Sequence, residues 1–477
     1  MKHRSRLRVL AILVAALHPA SAVVARATTC QDICPGTGDC VITTNRTVQP
    51  GSDLDCSGRS IILRSPLGTL EVSNGWFTLR AHNVTVEATR HITASLSGAW
   101  VPFGMALKLS GTLDATGFLR ANSTQGGGTI TVEAIGDIFV RDATGEVKGI
   151  RAIGEAADKP GGSVRLVSDG VIVIDDEILA ENQGVTGTGG GGQIFLKATG
   201  SIAINSLLSV HGRGAGGTIR ILTPGNLDVT QTLKADGGGA EGNGGVISLQ
   251  AERIVINGPL VAQGGIGTSG GQSEGGVVDL RAGALGLSVN SNIDVTGGAD
   301  GGGTIQAYSA GNLTMGAGVS LTSRADLNGG DAGEIELRAD QLFTIGQNAI
   351  LDASGHSAST VVGYGAGITL GACELSIATL VTIKATGYDG GEVTLVGQKT
   401  LTVGATVNAA GVDTPGEIEL VYRGTCSNAP TKHCLSNADC TIGCNTGACS
   451  APTTTGATFT PAPPRYDNDR NLGLCSP

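Results

Sequence analysis

Three carboxylates stand side by side in the stretch VIVIDDEILA: Asp175, Asp176 and Glu177. Glycoside hydrolysis needs two carboxylates placed about one bond, and calcium takes clusters of oxygen ligands, so the chain could first do chemistry here. His211, in VHGRG, offers an imidazole, the side chain that titrates closest to neutral pH. HCLSNADCTIGC brings His433, Cys434, Cys440 and Cys444 together, a grouping that suits zinc. GGDAGEIEL, from Gly329 to Leu337, has the glycine and aspartate texture of calcium-binding nonapeptides. Each has a plainer reading. The carboxylates fall between Ile172/Ile174 and Ile178/Ala180, which places them in a solvated turn. His211 lies in a glycine-rich loop and is expected to be exposed. The nonapeptide-like stretch has its aspartate out of place and does not tile. No catalytic, metal-binding or cofactor-binding residue is assigned.

The cysteines point to disulfides rather than metal. The N-terminus, MKHRSRLRVLAILVAALHPASA, has a basic n-region, a short apolar h-region from Val9 to Leu17 and the small-residue site Ala20-Ser21-Ala22. This is the pattern of a secretory signal, so residues 1–22 are expected to be removed on export. No later stretch approaches the ~20 apolar residues of a membrane span. Export implies an oxidising compartment. Of 11 cysteines, Cys30, Cys34, Cys40 and Cys56 cluster early, and Cys426, Cys434, Cys440, Cys444, Cys449 and Cys475 cluster late. Both groups are even in number and are disulfide candidates, with connectivity open. Cys373 stands apart and is expected to be a small packed residue. Loss of the signal removes four positive charges and takes the net charge from −10 to −14. An acidic exported chain is a poor partner for nucleic acid or an anionic membrane.

The elements that position these residues follow from a repeat. Glycines number 77 of 477 and aromatics only 3%, yet 40% of residues are hydrophobic. The core must therefore consist of small branched residues, which favour strands. A glycine-rich step followed by an apolar-x-apolar pair recurs at Gly128, Gly162, Gly192, Gly217, Gly245, Gly276, Gly303, Gly333, Gly367, Gly391 and Gly416, about every 29 residues. Each unit then repeats the apolar spacing of Leu227/Val229/Leu233/Ala235, and nine copies of these four positions are all apolar. Three short one-sided strands per unit cannot close a core alone, but stacked units can. The expectation is an all-β parallel β-solenoid of about twelve coils, three short strands per coil, stacked into three sheets.

Units of the form GGxIxLxA…IxIxGxLxAxGG resemble the right-handed parallel β-helix of filamentous-haemagglutinin-type adhesins and of the wider pectate-lyase-like superfold, over about residues 60–421. The Asn-Pro-Asn signatures of two-partner secretion are absent. Of the polygalacturonase-like set, Asp175-Asp176 is present, while Asn-Thr-Asp, Gly-His-Gly and Arg-Ile-Lys are not. The expected domains are the signal (1–22), an N-terminal disulfide cap (23–60), the β-helix (61–421) and a Cys-rich C-terminal cap or module (422–477), with APTTTGATFTPAPP as a spacer. On the outer face of strand two, Ser288, Thr314, Thr344, Ser376 and Thr402 would form a hydroxyl ladder, preceded by Phe139, Val173, Ala203, Asp228 and Val255. Variable loops after strand three leave from one corner. The expected function is a secreted or cell-surface, non-enzymatic adhesion or structural protein, partnered by an extracellular polysaccharide or protein. A polysaccharide lyase or glycoside hydrolase, and a passive envelope or matrix protein, are the alternatives.

Overall fold

Period-two apolar pairs demand strands with one buried face, and the computed structural model shows how those faces meet. It describes residues 26–422 apart from 65–66, 99–100, 143–148, 185–186, 240–241, 266–272, 326–329 and 357–362, then 424–426, 429–434, 452–461 and 465–467. The expected signal, 1–22, lies outside the described residues. The chain is a parallel β-solenoid of about twelve turns. A typical coil has strand one at Ser163–Ser168, strand two at Ile172–Ile174 and strand three at Ile178–Leu179. The next coil repeats these as Gln193–Ala198, Ile202–Ile204 and Leu208–Ser209, directly in register.

The core is the sum of inward columns. All 36 of the repeated apolar positions, from Ile172 to Ala409, are buried at 4% exposure or less. Strand one adds Val164 and Leu166, Ile194 and Leu196, and their equivalents in other coils. Burial of each large aliphatic side chain favours the fold by about 1.5–3 kcal/mol.

The expected three sheets are two. Strand three of the repeats, with its equivalents in the terminal coils, forms one 15-stranded sheet, while strands one and two share a 24-stranded sheet. The two fuse in Val246–Ile256, Val277–Val289, Glu334–Ile345, Gly367–Ile377 and Glu392–Val403. Pairing crosses the corner through register shifts at Ala251/Arg253, Ala339/Leu342 and Ala372/Glu374. A β-bulge bends a strand without ending it, so it absorbs corners of unequal length. Elsewhere a buried hydroxyl turns the corner: Ser168, Thr223 and Ser309 each accept from the amide two residues on.

The glycine step closes each coil. The amides of Gly192, Gly217, Gly245 and Gly276 donate to the carbonyls of Ala180, Val210, Ala235 and Ala262, at 2.6–2.8 Å. This pinches off the intervening loop, so the loop's length does not disturb the stack. The coils approach so closely there that a Cβ on Gly192 or Gly217 would fall within 3.0 Å of the carbonyl oxygen of Gly162 or Gly192 below.

At the N-terminal end, Cys40–Ile42, Asn45–Val48 and Asp53–Cys56 already form a coil beneath the repeats. A single helical turn, Cys30–Ile33, covers it, with Thr29 and Asp32 in a capping box. Disulfides Cys30–Cys56 and Cys34–Cys40 pin the turn to the coil. Closing a 26-residue separation constrains the unfolded chain by roughly 3.5 kcal/mol. Arg59 ties the same loop, donating to the carbonyls of Gly38 and Cys34 at 2.6 and 3.0 Å.

The C-terminal end departs from expectation. After Glu417–Tyr422 the chain leaves the coil and makes an antiparallel pair, Gly424–Cys426 with Ala429–Cys434. It then returns: Thr453 bridges Thr402, Thr458–Thr460 pairs with Thr406–Asn408, and Arg465–Asp467 pairs with Glu419–Val421. The stretch expected as a spacer is thus the last coil, and the cysteine-rich stretch interrupts it. The side chains of Cys426, Cys434, Cys440, Cys444, Cys449 and Cys475 lie outside the described residues. Cys373 is packed as expected, at 5% exposure, but it does not stand alone: it is disulfide-bonded. Val396 and Val421, on the outer face of strand one, are buried at 0% and 3% exposure.

Two outcomes test these contacts. Gly217→Ala is expected to cost about 2–3 kcal/mol in chemical denaturation, whereas Gly190→Ala, whose Cβ would have its nearest neighbour at 3.6 Å, changes stability by less than about 0.5 kcal/mol. Mass spectrometry of unreduced tryptic peptides is expected to find the Cys373 peptide disulfide-linked to a second peptide. A free Cys373 thiol would refute the tether.

Candidate functional site

Asp175, Asp176 and Glu177 occupy the corner between strands two and three, as the spacing implied. Asp175 accepts from Asn205 Nδ2 at 2.9 Å, and Asn205 Oδ1 accepts from Thr230 Oγ1 at 3.1 Å. One and two coils further on, Asn290 Nδ2 donates to Asn257 Oδ1 at 2.9 Å in the same corner column. Glu177 pairs with Arg151 of the preceding coil, and Asp176 accepts the Glu177 amide at 2.8 Å. The carboxylates of this one coil therefore tie it to the coils before and after it. Asn205, Asn257 and Asn290 were not singled out from the sequence, although each directly follows the second apolar residue of strand two.

His211 is not the exposed loop residue expected. Its side chain is 22% exposed, with Nδ1 at 3.4 Å from the Asp236 carboxylate, one rung along strand three. Lys234 Nζ lies 3.5 Å from the other oxygen of Asp236.

The hydroxyl residues form one column. Ser288 pairs in register with Thr314, Thr314 with Thr344, Thr344 with Ser376, and Ser376 with Thr402; the bridge to Thr453 adds a sixth member. Thr314, Thr402 and Thr453 are exposed and the others half-buried. Thr344 Oγ1 sits 3.5 Å from Thr314 Oγ1. Of the earlier members of the same column Phe139, Val173, Ala203 and Val255 are apolar and Asp228 is charged, and Phe139 lies under the Arg141 guanidinium at 4.4 Å. Arg141 in turn meets Asp114 at 2.7 Å.

A second cluster sits on the outer face of strand one. Asp279 faces Arg281 at 3.1 Å, and Glu336 faces Arg338 at 2.7 Å, each within its own strand. Between them Tyr308 is 42% exposed and donates to Asp340 at 2.7 Å. That hydrogen bond to a carboxylate raises the phenol above its ordinary value, with burial adding to it. A depression of about 390 Å³ runs from Asp340 past Asn312, Leu342, Glu374 and Lys399. Asn312 and Leu342 each precede a hydroxyl-column threonine by two residues, so the depression lies between Tyr308 and the column. Tyr308 was not singled out from the sequence; the available signal was the acid-x-Arg pattern in the coils on either side of it.

Among the described residues no group of three or more His, Cys, Asp and Glu side chains is arranged to hold a metal ion, and no helix is long and apolar enough to cross a membrane. No protein family, curated protein or solved structure matches the chain.

The phenol gives a pH test. Its folded value is raised, so the Tyr308–Asp340 bond stabilises the fold below the ordinary tyrosine value of about 10 and is lost as pH rises through the folded value. The stability difference between the wild type and Tyr308→Phe, followed by urea denaturation, is expected to be constant from about pH 8 to 10 and to close above it.

Proposed function

We propose that this chain is a secreted, non-enzymatic β-helix of the filamentous-haemagglutinin-like, right-handed type, which binds an extended extracellular polysaccharide along its flank and serves adhesion. The observation that carries the reading is the hydroxyl column from Ser288 to Thr402, continued by Thr453, in unbroken parallel register. Its rungs are about 4.8 Å apart, close to the rise of one pyranose in an extended chain, so successive hydroxyls meet successive sugars. The strands beneath are rigid and every residue that orients them is buried. A preformed face of this kind limits the ordering cost of binding.

Two further features support the reading. Asp175 and Glu177 serve corner contacts rather than facing a shared cleft. The two N-terminal disulfides and the bonded Cys373 suit a chain that matures outside the reducing cytoplasm.

The test is affinity electrophoresis of the exported chain against soluble polysaccharides, with assay for released sugar ends. The triple variant Thr314→Val, Thr344→Val, Thr402→Val keeps strand propensity and removes three hydroxyls. It is expected to bind at least tenfold more weakly with an unchanged unfolding midpoint. Release of reducing or unsaturated ends by the wild type would overturn the non-enzymatic reading, and unchanged binding by the triple variant would take the ligand off this column.

A further inference from the structure

We propose that Tyr308, with the pairs Asp279–Arg281 and Glu336–Arg338 on either side, grips an uncharged hexose polymer on the rod's flank. This rests on the reading of the chain as a polysaccharide-binding solenoid and names the place and the ligand class. Arg281, Tyr308 and Arg338 are register partners in three successive coils. They form one column along the rod, with steps of about 4.8 Å. Tyr308 leaves 42% of its surface in water on a strand whose neighbours Ile305 and Ala307 are buried. An aromatic surface held on a rigid strand, with a polar tip already bonded, is suited to stack on the C–H face of a pyranose.

The two arginines are oriented before any ligand arrives. Asp279 holds Arg281 Nε with both carboxylate oxygens at 3.1 Å. Glu336 holds Arg338 Nε at 2.7 Å. Both guanidinium side chains stay open, at 63% and 40% exposure, and no described residue accepts from their terminal nitrogens. Each pair thus sets donors beside carboxylate acceptors, the arrangement that vicinal hydroxyls match. The charge decides which sugar. Two guanidinium groups face three carboxylates, Asp279, Glu336 and Asp340, so the cluster is anionic by one. A uronate or sulfate chain would meet unpaired like charge, and a neutral hexose would not. The depression that Asp340 lines with Asn312, Leu342, Glu374 and Lys399 lies at the corner beside this cluster.

The experiment uses the full exported chain in affinity gels containing a neutral glucan, a neutral mannan or polygalacturonate. The wild type is expected to be retarded by at least one neutral polymer and to gain little from polygalacturonate. Tyr308→Ala is expected to weaken retardation tenfold or more, and Tyr308→Phe, which keeps the ring, to lose no more than about threefold. Arg338→Gln, which keeps an amide donor but loses the fork, gives a second measure, with at least a fivefold loss, should the alanine variant fail to fold. Neutral-polymer binding that is unchanged in Tyr308→Ala and Arg338→Gln would overturn this site while leaving the polysaccharide reading in place. Binding to polygalacturonate alone would do the same. Binding to none of the three would remove both.

Discussion

The amide of Gly192 donates to the carbonyl of Ala180, that of Gly217 to Val210 and that of Gly276 to Ala262. Each joins the last inward residue of one coil to the first step of the next. The residues joined are seven apart at Val210/Gly217 and fourteen apart at Ala262/Gly276, yet the bond is the same. The coil above settles on this corner at a distance that admits no Cβ. The glycine content of the chain is therefore concentrated where backbone must meet backbone. Loops of any length are excised from the stack at one edge, and the strands on the other faces keep an unbroken register. Without that pinch, a longer loop would rotate the next coil and every outward column would end.

Because the register is unbroken, a side chain's neighbours are the same position in the coils above and below. Polar residues act through that rule. Asp175, Asn205 and Thr230 link three corners, and Asn257 and Asn290 link two more. Lys108 faces Glu133, and Arg165 lies over Phe195 at 4.6 Å, each with its register partner. Pairs within one strand, such as Glu336–Arg338, instead leave the column open to a ligand. Exposed pairs of this kind contribute little to stability. Their placement matters more than their strength: they set which hydrogen-bonding groups face outward along the rod.

The period of the inward residues was legible because stacking imposes the same demand on every coil. The four-position pattern from Ile172 to Ala409 gives the core, and the hydroxyl residues of strand two fall in one column as spacing implied. What escaped was whatever depends on contact between distant parts or on corner geometry. Cys373 looked isolated because a disulfide partner distant in the chain leaves no mark on the local spacing. The fusion of strands one and two turns on bulges that leave no trace in the apolar pattern. His211 appeared to sit in a free loop because Asp236, one coil later, is brought beneath it only by the stack. Tyr308 drew no notice because a single aromatic has no period, and its meaning comes from Arg281 and Arg338 on the neighbouring rungs.

A solenoid is one-dimensional, and its ends are its hazard. An open coil presents unpaired strand edges to any other chain. Here the first coil is covered by the Cys30–Ile33 turn, held by two disulfides, and at the other end Gly424–Cys426 lies against Glu392–Val403 while Arg465–Asp467 pairs with Glu419–Val421. With the ends devoted to closure, the sides are the surface left for the binding proposed above. The sides repeat at the rung spacing, and a ligand that repeats at nearly that spacing gains a contact at each step. Each contact is weak, but successive ones are made without new loss of overall freedom, so affinity grows with the length of register shared. An extended polymer laid along the rod uses such a surface more fully than a compact ligand, which can meet only two or three rungs.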